Sequence, residues 1–246
     1  MNPAELNRLA DLRFGSGVKK ENPWYLPENN KRIIVYGDSG SGKTSAILAP
    51  IASGEWKFDK LYVYCKDFDA DTKYRYLIAT MNELEKELQE KYDTTDSFDL
   101  YEMGNSLEDI PEVNDFDSKK QNLVIIDDFV TDKGEGVKKI LDIFIRGRKK
   151  NITCIYISQS FFDIPKIIRM NSNYFLLFEP SSERDLTTIA YDLSGRDTVK
   201  DFKVKFNKVM DSGDFQFVMI DKVTKRPELK FRKGFKGLML PEKKDE

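Results

Sequence analysis

The chain has 246 residues, 40% of them hydrophobic and 33% charged, a composition that excludes a disordered protein and suits one large α/β domain. It contains no histidine, which excludes Ser-His-Asp and Cys-His nucleophiles and histidine-ligated metals, and leaves acid–base work to carboxylates, lysine or bound water. The net charge of −2 gives no global argument for nucleic acid, and no apolar run approaches the roughly 20 residues that span a bilayer. With no signal-peptide core at the N-terminus, and with Cys65 and Cys154 each inside an apolar strand pattern, the expected setting is the cytoplasm or a comparable reducing space.

Residues 1–30 form an N-terminal arm. A short amphipathic piece (Ala4 to Ala10) is followed by a Gly/Pro/Asn-rich connector, in which Trp24 and Tyr25 either anchor the arm or help to hold an adenine ring. A single domain follows over 31–240, with a charged tail at 241–246. Its first strand, Ile33 to Tyr36, runs into Gly37 and then into a helix from Thr44 to Ala49 that is expected to stop at Pro50. Lys60 to Lys66 is a second strand. The spacing of Met81, Leu84, Leu88 and Tyr92 predicts a surface helix lying against the sheet, and Phe98 to Met103 a further short strand. Residues 106–121 are acidic and turn-rich, in the manner of an insertion. Strands at Leu123–Ile126, Ile152–Ile157 and Tyr174–Phe178 alternate with helices at Gly136–Ile145 and Ile164–Met170, which indicates βαβ units and a mainly parallel sheet. Helices at Glu183–Leu193 and Asp197–Met210 precede an antiparallel pair, Phe215–Ile220 and Leu229–Arg232.

Between the first strand and its helix lies a complete G-x-x-x-x-G-K-[ST] pattern in its proper context. Its glycines let backbone N–H groups turn inward on one anion, and the helix directs its positive end to the same point. Gly37, Asp38, Ser39, Gly40, Ser41, Gly42, Lys43, Thr44 and Ser45 are therefore the candidate ATP-binding residues. Lys43 would reach the β/γ-phosphates, and Thr44 would place its hydroxyl on Mg²⁺. Leu123-Val124-Ile125-Ile126-Asp127-Asp128 is an apolar strand ending in two carboxylates, and in a parallel sheet such ends line the ligand crevice. Asp127 is expected in the Mg²⁺ shell. Asp128 either polarises the attacking water or is simple turn chemistry. Gln159, at the end of the next apolar strand, could hydrogen-bond a γ-phosphate or position water. Before that strand, the run Arg146-Gly147-Arg148-Lys149-Lys150-Asn151 is either a basic turn closing a helix or an arginine finger. Lys222, Lys225, Arg226, Lys230, Arg232, Lys233 and Lys236 form the densest basic cluster, which suits a DNA-facing edge or a charged edge strand that resists aggregation.

Taken together, the phosphate loop, Ile125-Ile126-Asp127-Asp128, and Gly147 to Ile152 running into Ile157-Ser158-Gln159-Ser160 resemble the virion DNA-packaging ATPases of poxviruses, giant viruses and virophages, a branch of the FtsK/HerA superfamily. The resemblance implies an α/β P-loop NTPase of the ASCE/RecA-like kind, a three-layer sandwich around a mainly parallel sheet with a C-terminal antiparallel strand pair. It further implies ATP and Mg²⁺ as cofactors, and a ring of five or six subunits acting on double-stranded DNA without sequence preference. A capsid vertex partner and a place in the host cytoplasm or viral factory go with it. Carried over residue by residue, the catalytic acid falls on Asp128, the polar sensor on Gln159, and the arginine acting on a neighbour's nucleotide on Arg148, with Arg146 as the substitute. Many relatives in the wider superfamily carry glutamate at the position of Asp128, so the carboxylate here would sit one methylene shorter. The competing readings are a P-loop nucleotide kinase, which needs an arginine-rich lid, and a non-motor module that keeps a nucleotide while binding DNA or capsid. A regulatory GTPase lacks its guanine reader, since Asn207-Lys208-Val209-Met210 does not complete N-K-x-D.

Overall fold

A computed structural model describes residues 21–129, 134–180, 182–195 and 197–238. The amphipathic piece at Ala4–Ala10 and the charged tail at 241–246 lie outside the described residues.

Among the described residues nine strands form one sheet in the order β3-β2-β4-β5-β1-β6-β7-β8-β9. The first six in that row are parallel: β1 (Arg32–Tyr36), β2 (Lys60–Cys65), β3 (Tyr101–Gly104), β4 (Asn122–Asp127), β5 (Ile152–Ser158) and β6 (Tyr174–Leu177). Residues Leu123 to Ile126 are wholly buried because both faces are covered: Leu123 and Ile125 belong to one hydrophobic cluster, Val124 and Ile126 to the other. On the first face lie α1 (Lys43–Ala52) and α2 (Thr72–Tyr92), contributing Ile47, Leu48, Ile51, Tyr74, Leu77 and Met81. The opposite face is covered by α3 (Glu135–Arg146), α4 (Lys166–Asn171), α5 (Glu183–Leu193) and α6 (Val199–Met210). The three-layer α/β arrangement expected from the sequence is thus the one observed.

Three local expectations change. Pro50 does not end α1, which continues to Ala52, because burial of Pro50, Ile51 and Ala52 against the sheet outweighs the missing hydrogen bond. The expected C-terminal strand pair is three strands, β7 (Val218–Asp221), β8 (Phe231–Lys233) and β9 (Gly237–Leu238), and β7 runs antiparallel to β6 and so joins the main sheet. Residues 106–121, expected as an acidic, turn-rich insertion, contribute to the core. Two 3-10 turns there, Leu107–Asp109 and Val113–Asp115, bury Leu107, Ile110, Val113 and Phe116 in the cluster beneath α3.

In the lead-in, Leu26 is buried and the Tyr25 hydroxyl donates to Glu55 Oε2 at 3.0 Å, while Trp24 stays largely exposed. Tyr25 anchors this segment, and neither aromatic lines the cavity beside the phosphate loop.

Candidate active site

Strand register brings the candidate residues together. Tyr36 is level with Ser158, and Asp127 with Ile157, so β5 separates the strand that enters the phosphate loop from the strand that ends in the acids. Adjacent strands lie about 4.8 Å apart, which leaves a triphosphate-sized gap between loop and acids with the end of β5 as its floor.

The loop is held in shape by its backbone. Gly37 N–H donates to Ser158 O at 3.4 Å, and Asp38 N–H to Glu179 O at 3.1 Å. No side chain fits at position 37, where a Cβ would lie 2.5 Å from Phe178 Cβ. Gly40 and Gly42 have φ values of 75° and 98°, the left-handed region glycine tolerates. Gly42 caps α1 without a side-chain hydrogen bond, so the first N–H groups of the helix are left for an anion. Ser41 Oγ is buried with no hydrogen-bond partner, a polar atom that a phosphate oxygen would satisfy. Lys43 Nζ curls back onto Asp38 O at 2.6 Å. Burial lowers the Lys43 ammonium from its ordinary range, while Asp127, Asp38 and Asp128 pull it the other way.

Across the gap, Thr44 Oγ1 lies 3.3 Å from Asp127 Oδ2, and the Tyr74 hydroxyl donates to the same oxygen at 2.6 Å. Burial pushes the Asp127 carboxyl above its usual range in spite of the Tyr74 hydrogen bond. The Tyr74 phenol is itself raised well above its ordinary value, by burial and then by Asp127, so it remains a donor. Asp128 has φ 63°, its N–H donates to Ile157 O at 3.3 Å, and its side chain is exposed. Gln159 Nε2 donates to Asp128 Oδ2 at 3.3 Å, which joins the second acid to the strand-end amide.

The two arginines lie elsewhere. Both precede β5, at the end of the sheet away from the loop, and the seven residues of β5 span about 20 Å, farther than an arginine side chain reaches. Arg146 is ion-paired with Asp142 one turn back on α3, and Arg148 is exposed in a 3-10 turn, Gly147–Lys150. Neither can touch this chain's own nucleotide.

The basic cluster also divides. Arg232 is buried, with Nη1 donating to Tyr25 O at 3.1 Å and Phe235 O at 2.9 Å and Nη2 3.8 Å from Asp221 Oδ2, so it is a structural cation. Arg226 is paired with Glu228 at 2.8 Å. Lys222, Lys225 and Lys236 are exposed.

Sequence reasoning missed Tyr74 and Asp185. Tyr74 begins the apolar stripe of α2, as the spacing Tyr74, Leu77, Met81, Leu84, Leu88 shows, but nothing local marks its contact with Asp127. Asp185 on α5 is buried, accepting from the Tyr36 hydroxyl at 2.9 Å and from Phe162 N–H at 2.8 Å. It ties the segment after Gln159 to the strand that carries the loop.

Comparison with known proteins fits this geometry. The DNA-packaging ATPase B204 from Sulfolobus turreted icosahedral virus superposes with a TM-score of 0.55 at 14% identity, over 83% of this chain and 97% of that one. The genome packaging NTPase B204 from Sulfolobus turreted icosahedral virus 2, in complex with AMP, gives a TM-score of 0.50 at 12% identity, over 85% of this chain and 98% of that one. These likenesses establish the shared fold. No curated protein matches the sequence. The family described as poxvirus A32 protein matches residues 22–220, most of the chain, and the chain therefore belongs to the poxvirus A32 protein family.

Proposed function

We propose that this protein is an ATPase that drives double-stranded DNA into a viral capsid. One observation carries the reading: a complete phosphate loop faces a Thr44–Asp127 pair and an Asp128–Gln159 pair across adjacent strand ends. The donor set fits Mg²⁺. A hydroxyl and a carboxylate are hard oxygen ligands, and Mg²⁺ typically takes one or two of these from protein and the rest from phosphates and water. When bound there, Mg²⁺ would neutralise charge on the β- and γ-phosphate oxygens.

The chain's own residues supply the rest. Lys43 exchanges Asp38 O for the β/γ-phosphates. Ser41 and the free N–H groups at the start of α1 donate hydrogen bonds to the phosphate oxygens. Asp128 holds the attacking water and takes its proton, with Gln159 fixing the orientation of the carboxylate and of the water. Tyr74 positions Asp127.

An arginine would add to Lys43 in neutralising charge on the transferring group, and Arg148 suits that role from a neighbouring subunit, since its position at the far end of β5 excludes its own site. That assignment requires a neighbouring subunit, and a closed ring, of five or six subunits by the family resemblance, would supply it. DNA contact would rest on exposed lysines such as Lys225 and Lys236, with affinity that falls steeply with salt and ignores base sequence. A capsid vertex protein would be the docking partner, in the host cytoplasm or viral factory.

Steady-state phosphate release, measured with Mg²⁺ or EDTA and with or without duplex DNA, tests the reading. Hydrolysis should need Mg²⁺ and rise with DNA, and Asp128→Asn should bind ATP while turning it over on the order of a hundredfold more slowly. Transfer of phosphate to a nucleotide acceptor, with no release to water, would favour a kinase and overturn it.

A further inference from the structure

We infer that Phe215 is the platform on which the nucleotide base stacks, and that it gives the site its preference for purines. The inference rests on the nucleotide-binding reading above and deepens it.

The direction of the ligand follows from strand order. The acids and Gln159 end β4 and β5, on one side of β1, so the γ-phosphate points that way. The nucleoside must leave the loop on the other side, over the exits of β6 and the entry to β7. A cavity of about 520 Å³ opens there, lined by the phosphate loop and by Pro180, Met210, Phe215 and Gln216. That volume lies within the range of small-ligand sites.

Phe215 is placed oddly for a residue of the core. Phe217, two positions on, is buried between Phe178 and Phe235, with ring centroids 4.9 and 5.1 Å away. Strand alternation would carry Phe215 to the same face. Instead its φ is +55°, a conformation bulky residues rarely adopt, and the residue is 71% exposed. Its atoms lie against Gly42, where a Cβ would come within 3.3 Å of Phe215 Cδ1. The ring therefore leans on the phosphate loop one residue before Lys43 and leaves its remaining surface to the cavity. An exposed aromatic beside a triphosphate cradle offers a π-face that any base can use and that the larger purines use best. Gln216 Nε2 donates to Asp214 O at 3.0 Å.

Calorimetric titration of the full chain with Mg-ATP, Mg-CTP and Mg-tripolyphosphate tests the assignment. The wild type should bind ATP more tightly than CTP. Phe215→Ala should weaken ATP on the order of tenfold, erase the purine preference, and leave tripolyphosphate within about twofold, the loss expected for one base–aromatic stack. Phe215→Trp should restore ATP affinity, and its indole emission should be quenched by ATP but not by tripolyphosphate. If Phe215→Ala weakens ATP and tripolyphosphate equally, the ring merely props the loop and the inference falls. Unchanged ATP affinity in Phe215→Ala, with Lys43→Ala still abolishing binding, overturns the platform while the ATPase reading stands. A wild type that binds none of the three would end both.

Discussion

Asp127 pays for its place in the site. The carboxylate sits among apolar strands, and the hydroxyls of Tyr74 and Thr44 only partly replace the water it has lost. Its folded-state pKa lies above the unfolded value, so folding takes up a proton between the two, and the contribution of this group to stability is greatest below the unfolded carboxyl range. That stability is lost as pH rises through the folded value and stays lost at neutral pH. Asp127→Asn should therefore raise the melting temperature of the protein in EDTA at pH 7, and the gain should vanish as pH falls below about 4. With Mg-ATP the order should reverse, because only the wild type gains the stabilisation of a ligand bound to its folded state alone. Tyr74→Phe should act oppositely in EDTA, destabilising by roughly 1–3 kcal/mol through the loss of a hydrogen bond to a buried charge. Thermal melts of the three proteins across pH decide it. An Asp127→Asn variant no more stable than wild type in EDTA would show that burial of this carboxylate is fully compensated.

At the scale of elements, what was legible followed periodicity. The apolar runs of β1, β4 and β5 and the stripe of α2 state their burial directly, and the phosphate loop announces itself because one backbone shape demands those glycines. Features set by tertiary packing were silent. Pro50 lies inside the last turn of α1 because the two residues after it are buried, and Phe215 leaves its strand pattern through a single left-handed residue. Arg232 belongs by sequence to a basic cluster and by structure to the core. Gly136 makes the point testable. Propensity alone says that alanine in this helix should stabilise by about 1 kcal/mol. In the folded chain α3 presses on the 3-10 turn at Leu107, and a Cβ at position 136 would lie 2.3 Å from Leu107 Cβ. Gly136→Ala should instead destabilise by roughly 1–3 kcal/mol, as overpacked cores do. A urea denaturation midpoint that moved upward would mean that the turn yields freely and is not the buried support described above.

For the whole molecule, the question is whether one folded chain contains a complete active site. The nucleotide end of the sheet holds Lys43, Thr44, Asp127, Asp128 and Gln159, while Arg146 and Arg148 stand about 20 Å away at the other end of β5. Arg146 pairs with Asp142 on its own helix, and Arg148, exposed in the following 3-10 turn, is the arginine placed to reach a neighbour. A head-to-tail contact that sets this end of one subunit against the loop of the next generates a ring when its rotation closes. An arginine supplied in trans contributes a factor on the order of 10³–10⁵ in turnover. Arg148→Ala should then bind ATP nearly as the wild type does and hydrolyse it very slowly. Lys43→Ala should neither bind ATP tightly nor turn it over. Mixed together, the two inactive proteins should recover part of the activity, because some interfaces pair the intact loop of an Arg148→Ala subunit with the intact arginine of a Lys43→Ala neighbour. Neither parent contains such an interface. Turnover measured across mixing ratios should peak between the two pure proteins and disappear on dilution below the assembly concentration. Mixtures no more active than their parents, or full activity in dilute monomer, would place the missing cation within the chain itself and remove the reason for a ring.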